Sequence, residues 1–180
     1  MVLVPSEFQA ETFFCKMFDI PKEHLCLAGY PRNLFAHTSQ EEILEFIRKY
    51  EPEETQTLVG KLKGYEHVYL YMPTWRNNGE DFISAANIDW KKMNEALKQT
   101  NSVLLLKLHP LTFNIDSDFH QLRQYDSILV YPNSCDIYTV LPFTTCLITD
   151  YSSIYSDYVL LEKEIILFTF DYDAIITTCG

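Results

Sequence analysis

The stretch SVLLLKLHP at residues 102–110 decides the fold. Its apolar side chains follow one another without the polar alternation of a strand that has one face in water. It therefore predicts a strand of a parallel sheet that is buried on both faces. Other strands are predicted at residues 25–28, 66–73, 127–131, 145–149 and 164–170.

Amphipathic stretches alternate with these strands. Two capping boxes open helices, Ser6 with Gln9 and Ser39 with Glu42, and the second helix runs to about Tyr50. Each helix is expected to bury one apolar face, formed by Phe8, Phe13, Phe14 and Met17 in the first and by Ile43, Leu44 and Ile47 in the second. Further helices are predicted at residues 88–100, 135–141 and 152–163.

This order of elements is typical of an α/β protein. We predict a doubly wound, mainly parallel sheet with helices on both faces. The length of 180 residues favours one domain over two, so a single domain is expected over residues 1–180.

Charge and cysteine content restrict the function classes. The chain has 14 basic and 25 acidic residues, and the net charge of −11 disfavours nucleic acid and anionic lipid as partners. The cysteines are odd in number and form no CxxC pair, which indicates reduced thiols and a cytoplasmic protein. No apolar run reaches roughly 18–20 residues, and the first residues have neither a basic start nor a long apolar stretch, so neither a membrane-spanning helix nor a signal peptide is expected. The histidines lack metal-ligand spacing, and no glycine-rich nucleotide motif occurs, so neither a metal site nor a cofactor is predicted.

Polar residues follow four of the predicted strands, where open parallel sheets bind their ligands. The segments are GYPR at 29–32, PTWR at 73–76, KLHP at 107–110 and TDYSS at 149–153. Their cationic and hydroxyl side chains predict a pocket for a diphosphate. The candidate binding residues are Arg32, Thr74, Arg76, Lys107, His109, Thr149, Asp150, Ser152 and Ser153.

Each candidate also has a plainer interpretation, and the alternatives stay open at this point. Ser152 is suited to capping the helix that follows it. His109 is equally suited to bonding with a neighbouring loop, and Lys107 to extending its ammonium to the surface. Trp75 is suited to stacking on a nucleotide base or to packing in the core.

The strand-exit segments resemble a known family when taken together. GYPR at 29–32, YMPTWR at 71–76, KLHP at 107–110, DIY at 136–138 and LITDYSSIYSDYVLL at 147–161 resemble, in the same order, the CDP-glycerol glycerophosphotransferases, which include teichoic-acid polymerases and primases. The resemblance implies a Rossmann-like donor-nucleotide lobe of a GT-B fold. It also implies transfer of glycerol phosphate, or ribitol phosphate in relatives, from a CDP carrier to a teichoic-acid-like or capsular polymer at the inner face of the membrane.

The same resemblance implies roles for individual residues. His109 corresponds to the histidine that meets the donor diphosphate and is the catalytic candidate. Arg32, Thr74, Arg76, Thr149, Ser152 and Ser153 fall in the donor-binding segments, and Asp157 matches the acidic position after TDYSS. The implied reaction is displacement at the donor β-phosphate with CMP leaving, a step that positive charge stabilises without a required metal.

Departures from the family pattern leave two hypotheses. The family's histidine-bearing segment, taken to be the base, is expected before residue 1, and a further segment is expected after residue 180. Leu34 and Thr145 stand where acids are usual, and Glu164 where proline is usual. The chain is therefore expected to be either a donor lobe, truncated at both ends and inactive without a missing lobe in trans, or a non-catalytic remnant or partner-binding module. A truncated sheet also predicts an exposed edge or an uncovered apolar face, and with it a homodimer or limited solubility.

Overall fold

The computed structural model describes residues 1–75, 86–109 and 122–173. The chain divides into two compact units, residues 1–39 and residues 40–180. The expectation that residues 1–180 form a single domain stays a prediction.

The first unit contains a pair of parallel strands, β1 (Val2–Val4) and β2 (Leu25–Leu27). Between them, helix α1 (Glu7–Gln9) continues as a π-helix over Ala10–Cys15, and a 3-10 turn spans Lys22–His24. A second 3-10 segment, Pro31–His37, follows β2. The predicted cap is confirmed, because Ser6 Oγ accepts a hydrogen bond of 3.2 Å from the Gln9 amide.

The predicted inner face of this first helix is wrong. Phe8 and Met17 are each 70% exposed, whereas Ala10 is buried. The helix changes from α to π geometry at residue 10, and the wider turn shifts the angular spacing of later side chains. Residues spaced for one face of an α-helix therefore do not share a face here.

The second unit has four described α-helices: α2 (Gln40–Tyr50), α3 (Glu53–Leu62), α4 (Trp90–Gln99) and α5 (Ile154–Tyr158). Ile43 and Ile47 of α2 are buried as predicted. Helix α3 was not predicted, although Pro52 precedes it and acidic residues occupy its first turn. Short 3-10 turns span Ile137–Thr139, Leu141–Phe143 and Val159–Leu161. None of the described helices is long and apolar enough to cross a bilayer.

The core of this unit is a five-stranded parallel sheet in the order β5-β4-β3-β6-β7. This arrangement confirms the predicted α/β class with a parallel sheet. The strands are β3 (His67–Met72), β4 (Ser102–Leu106), β5 (Ile128–Val130), β6 (Cys146–Thr149) and β7 (Glu164–Leu167).

The centre of the sheet is buried on both faces, as the stretch at 102–110 predicts. All five residues of β4 are buried. Leu104 and Leu106 pack on one face with Leu97 of α4. Side chains alternate along a strand, so Leu105 points to the opposite face, and it is also fully buried.

The strand order places a topological switch point between β3 and β6. From β3 the chain moves outward to β4 and β5, and it then returns to β6 on the other side of β3. The loops after β3 and β6 consequently leave the sheet as neighbours and turn in different directions. A crevice between such loops is the usual ligand site of an open parallel sheet.

Strand β7 forms one edge of the sheet and exposes apolar side chains. Ile166 and Leu167 are 48% and 62% exposed. Natural edge strands are often protected by lysine or proline. Lys163 directly precedes β7, but its ammonium donates a 2.7 Å hydrogen bond to the carbonyl of Pro142. This lysine therefore does not protect the edge strand against pairing with another strand.

We expect the β7 edge to promote self-association. In light scattering, the unaltered chain should have the mass of a dimer or larger species, and Leu167→Lys should shift it toward the monomer, because a charge on the edge opposes strand pairing. Leu34→Lys is the matched control, since Leu34 is also exposed but lies in the first unit. A monodisperse monomer of the unaltered chain would contradict the expectation.

Candidate functional site

An open pocket of about 500 Å³ lies at the carboxyl ends of β3, β4 and β6. Residues that follow these three strands line it: 72–75, 107–109 and Ser152. The structure thus brings Thr74, Lys107, His109 and Ser152 together, although they come from distant parts of the sequence. This is the switch point at which the fold predicts a ligand.

His109 lies at the mouth of the pocket with an exposed side chain. Its imidazole stacks on the indole of Trp75, with ring centroids 5.9 Å apart and planes inclined by 29°. The histidine therefore contacts the loop after β3, as one of its alternative interpretations expects, while still facing the pocket. Trp75 thus contacts this imidazole, and its stacking on a nucleotide base stays a prediction.

Asp150 joins the loops on the two sides of the switch point. Its side chain is almost fully buried, with 5% exposure. Its Oδ1 atom accepts hydrogen bonds from the amide and the hydroxyl of Thr74, at 2.8 and 2.7 Å, and from the amide of Tyr151 at 2.6 Å. These bonds suit a residue that shapes the pocket, and direct contact of Asp150 with a substrate stays a prediction.

Thr149 makes a similar link inside the sheet. Its hydroxyl is buried and donates a 2.6 Å hydrogen bond to the carbonyl of Met72 at the end of β3. Thr145, where the family resemblance leads us to expect an acid, bonds to β3 as well. Its hydroxyl donates to the Val68 carbonyl at 3.0 Å and accepts from the Val68 amide at 2.9 Å. Thr145 therefore adds two hydrogen bonds between strand β3 and the residue directly before β6.

Lys107 is partly buried in the pocket wall. Its ammonium donates a 2.9 Å hydrogen bond to Asn133 Oδ1 and lies 5.0 Å from the ring centroid of Tyr131. Burial lowers the pKa of Lys107, and the nearby Cys135 and Asp136 oppose that change. Sequence reasoning missed Asn133, whose only signal is its position in the polar segment after the predicted strand at residues 127–131.

Three predicted site residues, Ser152, Ser153 and Asp157, lie in or next to helix α5, and each makes different contacts. Ser153 is the N-cap residue of this five-residue helix but makes no side-chain capping bond. Ser152 Oγ is 3.5 Å from the Ile154 amide, which is a long contact for a cap, and this residue also lines the pocket. Asp157 Oδ2 accepts a 2.7 Å hydrogen bond from the Tyr138 hydroxyl.

Two predicted arginines are not part of this described geometry. Arg32 belongs to the first unit, and Arg76 lies outside the described residues. Their contacts with a donor stay predictions. Among the residues that the structure describes, no three or more histidine, cysteine, aspartate or glutamate side chains are grouped to hold a metal ion.

Comparison with known sequences identifies similar proteins. A family model described as CDP-Glycerol:Poly(glycerophosphate) glycerophosphotransferase matches residues 1–179. The chain is 29% identical to the teichoic acid ribitol-phosphate polymerase TarK of Staphylococcus aureus, covering 92% of this chain and 31% of the relative. It is 28% identical to a teichoic acid poly(glycerol phosphate) polymerase of Staphylococcus epidermidis, covering 96% of this chain and 23% of the relative. The chain thus spans a third or less of the length of these two proteins.

Comparison with solved structures confirms the Rossmann-like fold. The wall teichoic acid polymerase TagF is 27% identical with a TM-score of 0.68, covering 96% of this chain and 40% of that protein. A TagF variant soaked with CDPG is 28% identical with a TM-score of 0.66, covering 96% and 38%. UDP-GlcNAc 2-epimerase from Methanocaldococcus jannaschii shares the fold at 13% identity and a TM-score of 0.55, covering 96% and 48%.

The bonds between Asp150 and Thr74 should be energetically coupled. Asp150→Ala leaves partly buried donors without an acceptor, which costs up to about 1–3 kcal/mol for each lost partner, and Thr74→Val removes one of these donors. In a double-mutant cycle of urea unfolding, we expect a coupling energy of about 0.5–3 kcal/mol. Asp126→Ala, at an exposed ion pair with Lys98, is the control and should change stability little. Additive effects of the two pocket substitutions would show that the bonds do not stabilise the site.

Proposed function

The chain belongs to the CDP-glycerol:poly(glycerophosphate) glycerophosphotransferase family, and from this premise we propose that it is the donor-nucleotide lobe of a teichoic-acid-type enzyme. The similar proteins are transferases that make teichoic acids. We assign the pocket after β3, β4 and β6 to CDP-glycerol or a related CDP-polyol. The acceptor is a teichoic-acid-like or capsular polymer.

The single observation that carries this proposal is the convergence of Thr74, Lys107, His109 and Ser152 on one pocket at the switch point. A diphosphate needs several donors that approach from different directions. The pocket supplies an imidazole, an ammonium and hydroxyl groups from three separate strand exits. Because the whole chain carries a net charge of −11, such local groups are what allow it to hold an anion.

In the proposed reaction, a hydroxyl oxygen of the acceptor forms a bond to the β-phosphorus of the donor. The bond from that phosphorus to the bridging oxygen breaks, and CMP leaves with the electron pair. Protonated His109 stabilises or protonates the departing phosphate oxygen. The proton of the acceptor hydroxyl passes to a base that we assign to a second lobe.

The location of the proposed reaction is the one that the family resemblance implies. We propose that the chain works at the inner face of the membrane as a peripheral protein. Its net charge of −11 disfavours direct binding to anionic lipid. Association with the membrane is therefore assigned to the acceptor or to the second lobe.

Isothermal titration with CDP-glycerol tests the pocket. We expect binding by the unaltered chain and affinity about 10- to 100-fold lower for His109→Ala, because a charge-assisted contact contributes about 1.5–3 kcal/mol. His67→Ala is the matched control. Its side chain is about half exposed and begins β3 at the opposite end of the sheet, so its loss should leave affinity unchanged. Absence of heat from the folded chain at millimolar ligand would contradict the proposal.

Three further experiments test the finer assignments. Comparing CDP-glycerol with CDP-ribitol shows which polyol the pocket prefers. Arg76→Ala tests the arginine predicted from the PTWR segment, and unchanged affinity would remove it from the site. Adding a complementary lobe and measuring CMP release separates an enzyme from a binding module, since a non-catalytic remnant binds the donor without releasing CMP.

A further inference from the structure

We propose that Asn133 is a positioning residue that holds the Lys107 ammonium in the pocket wall without neutralising it, so that its positive charge stays available to a diphosphate. This inference rests on the proposed function, because it assigns a role in binding at the same pocket. It adds a fourth strand exit to the site, since Asn133 lies in the turn that follows β5.

The first step is the position of Lys107. This residue directly follows β4, and its amide donates a 3.0 Å hydrogen bond to the Tyr71 carbonyl, so its backbone is fixed to β3. Its side chain is partly buried and lines the pocket. A lysine side chain without a partner samples many rotamers, and ordering it when a ligand binds costs free energy.

The second step is the chemical nature of the groups that hold the ammonium. Its Nζ atom donates a 2.9 Å hydrogen bond to Asn133 Oδ1 and a longer one, of 3.4 Å, to the Pro132 carbonyl. It also lies 5.0 Å from the ring centroid of Tyr131. An amide, a carbonyl and an aromatic face are all uncharged. In the described part of the chain, no carboxylate forms an ion pair with Lys107.

The aromatic ring that contacts the ammonium is fixed in place. Tyr131 is 1% exposed, and its hydroxyl donates a 2.8 Å hydrogen bond to the Asp136 carbonyl. Burial raises the pKa of Tyr131, so its phenol stays neutral and adds no negative charge. The segment after β5 therefore supports Lys107 through neutral groups.

The neutrality of Asn133 matters because the ammonium has a full charge and three hydrogens to donate. A carboxylate at 2.9 Å would pair with the ammonium and reduce its attraction for an anion. An amide oxygen directs the ammonium from the same place and leaves the charge. Asparagine and aspartate have nearly the same shape, so exchanging them changes the charge with little change in position.

Titration with CDP-glycerol tests the need for a neutral partner. Asn133→Asp should weaken binding about 10- to 100-fold, because it keeps an acceptor oxygen but pairs Lys107 with a negative charge. Asn101→Asp is the matched control. Asn101 is exposed and precedes β4, at the end of the sheet opposite Lys107, so the same added charge should leave affinity unchanged. Equal affinity of Asn133→Asp and the unaltered chain would overturn the inference.

Titration in a second background tests whether Asn133 acts through the lysine. Asn133→Ala should weaken binding about 2- to 10-fold, the range expected for one hydrogen bond. In the Lys107→Met background it should have no further effect. A loss of the same size in both backgrounds would show that the amide contacts the donor directly or only stabilises its turn, and the positioning role would be wrong. Thermal unfolding of each variant shows whether the protein titrated is folded.

A measurement without ligand tests the contact itself. Burial holds the pKa of Lys107 below its ordinary value, and the nearby Cys135 and Asp136 oppose that change. In an NMR titration of the Lys107 side chain, Asn133→Asp should raise this pKa, because a carboxylate favours the charged form, whereas Asn101→Asp should not. If the pKa of Lys107 does not respond to Asn133→Asp, the contact is not made and the inference is wrong.

Inorganic pyrophosphate separates failure of this inference from failure of the proposed function. If CDP-glycerol does not bind but pyrophosphate does, and Asn133→Asp weakens that binding, the function is wrong and the role of Asn133 stands. If CDP-glycerol binds with the same affinity to Asn133→Asp, the function stands and the role of Asn133 is wrong. If neither ligand binds to the folded chain, both are wrong.

Discussion

The pocket depends on one carboxylate oxygen, Asp150 Oδ1. This atom accepts three hydrogen bonds at the point where the order of the strands in the sheet reverses. At this switch point the loops after β3 and β6 leave the sheet side by side, and nothing in the strand pairing alone requires them to stay together. A buried carboxylate with several donors is stable only when all of them are in place. The two bonds to Thr74 therefore hold the loop after β3 to the loop after β6, immediately before Trp75.

The charge distribution bears on the proposed diphosphate site. A chain with a net charge of −11 repels anions as a whole, so a diphosphate would be held only where cations and hydroxyl groups are brought close together. Lys107 and His109 meet this need in different ways. The ammonium is partly buried against Asn133 and Tyr131, which makes it part of the wall, whereas the imidazole is exposed at the mouth.

Prediction from sequence succeeded where the signal was strong and local. The apolar runs located the strands of the main sheet, because a strand that is buried on both faces has apolar side chains at consecutive positions and not at alternate ones. It failed in the first helix, where the π geometry of Ala10–Cys15 displaced the face expected from an α-helical period. It also missed α3, whose mixed composition gave a weak pattern, and Asn133, which has no signature apart from following a strand.

The sequence by itself determined the α/β class, the parallel sheet and the family, since these follow from hydrophobic pattern and from segments that are contiguous in the chain. Only the tertiary structure decided which polar residues share the pocket and what each one contacts. The ring centroids of Trp75 and His109 are 5.9 Å apart only because β3 and β4 are adjacent strands. Asp150 likewise reaches Thr74 because β6 returns to the other side of β3. Such contacts depend on strand order, which connects residues far apart in sequence and therefore leaves no local pattern to read.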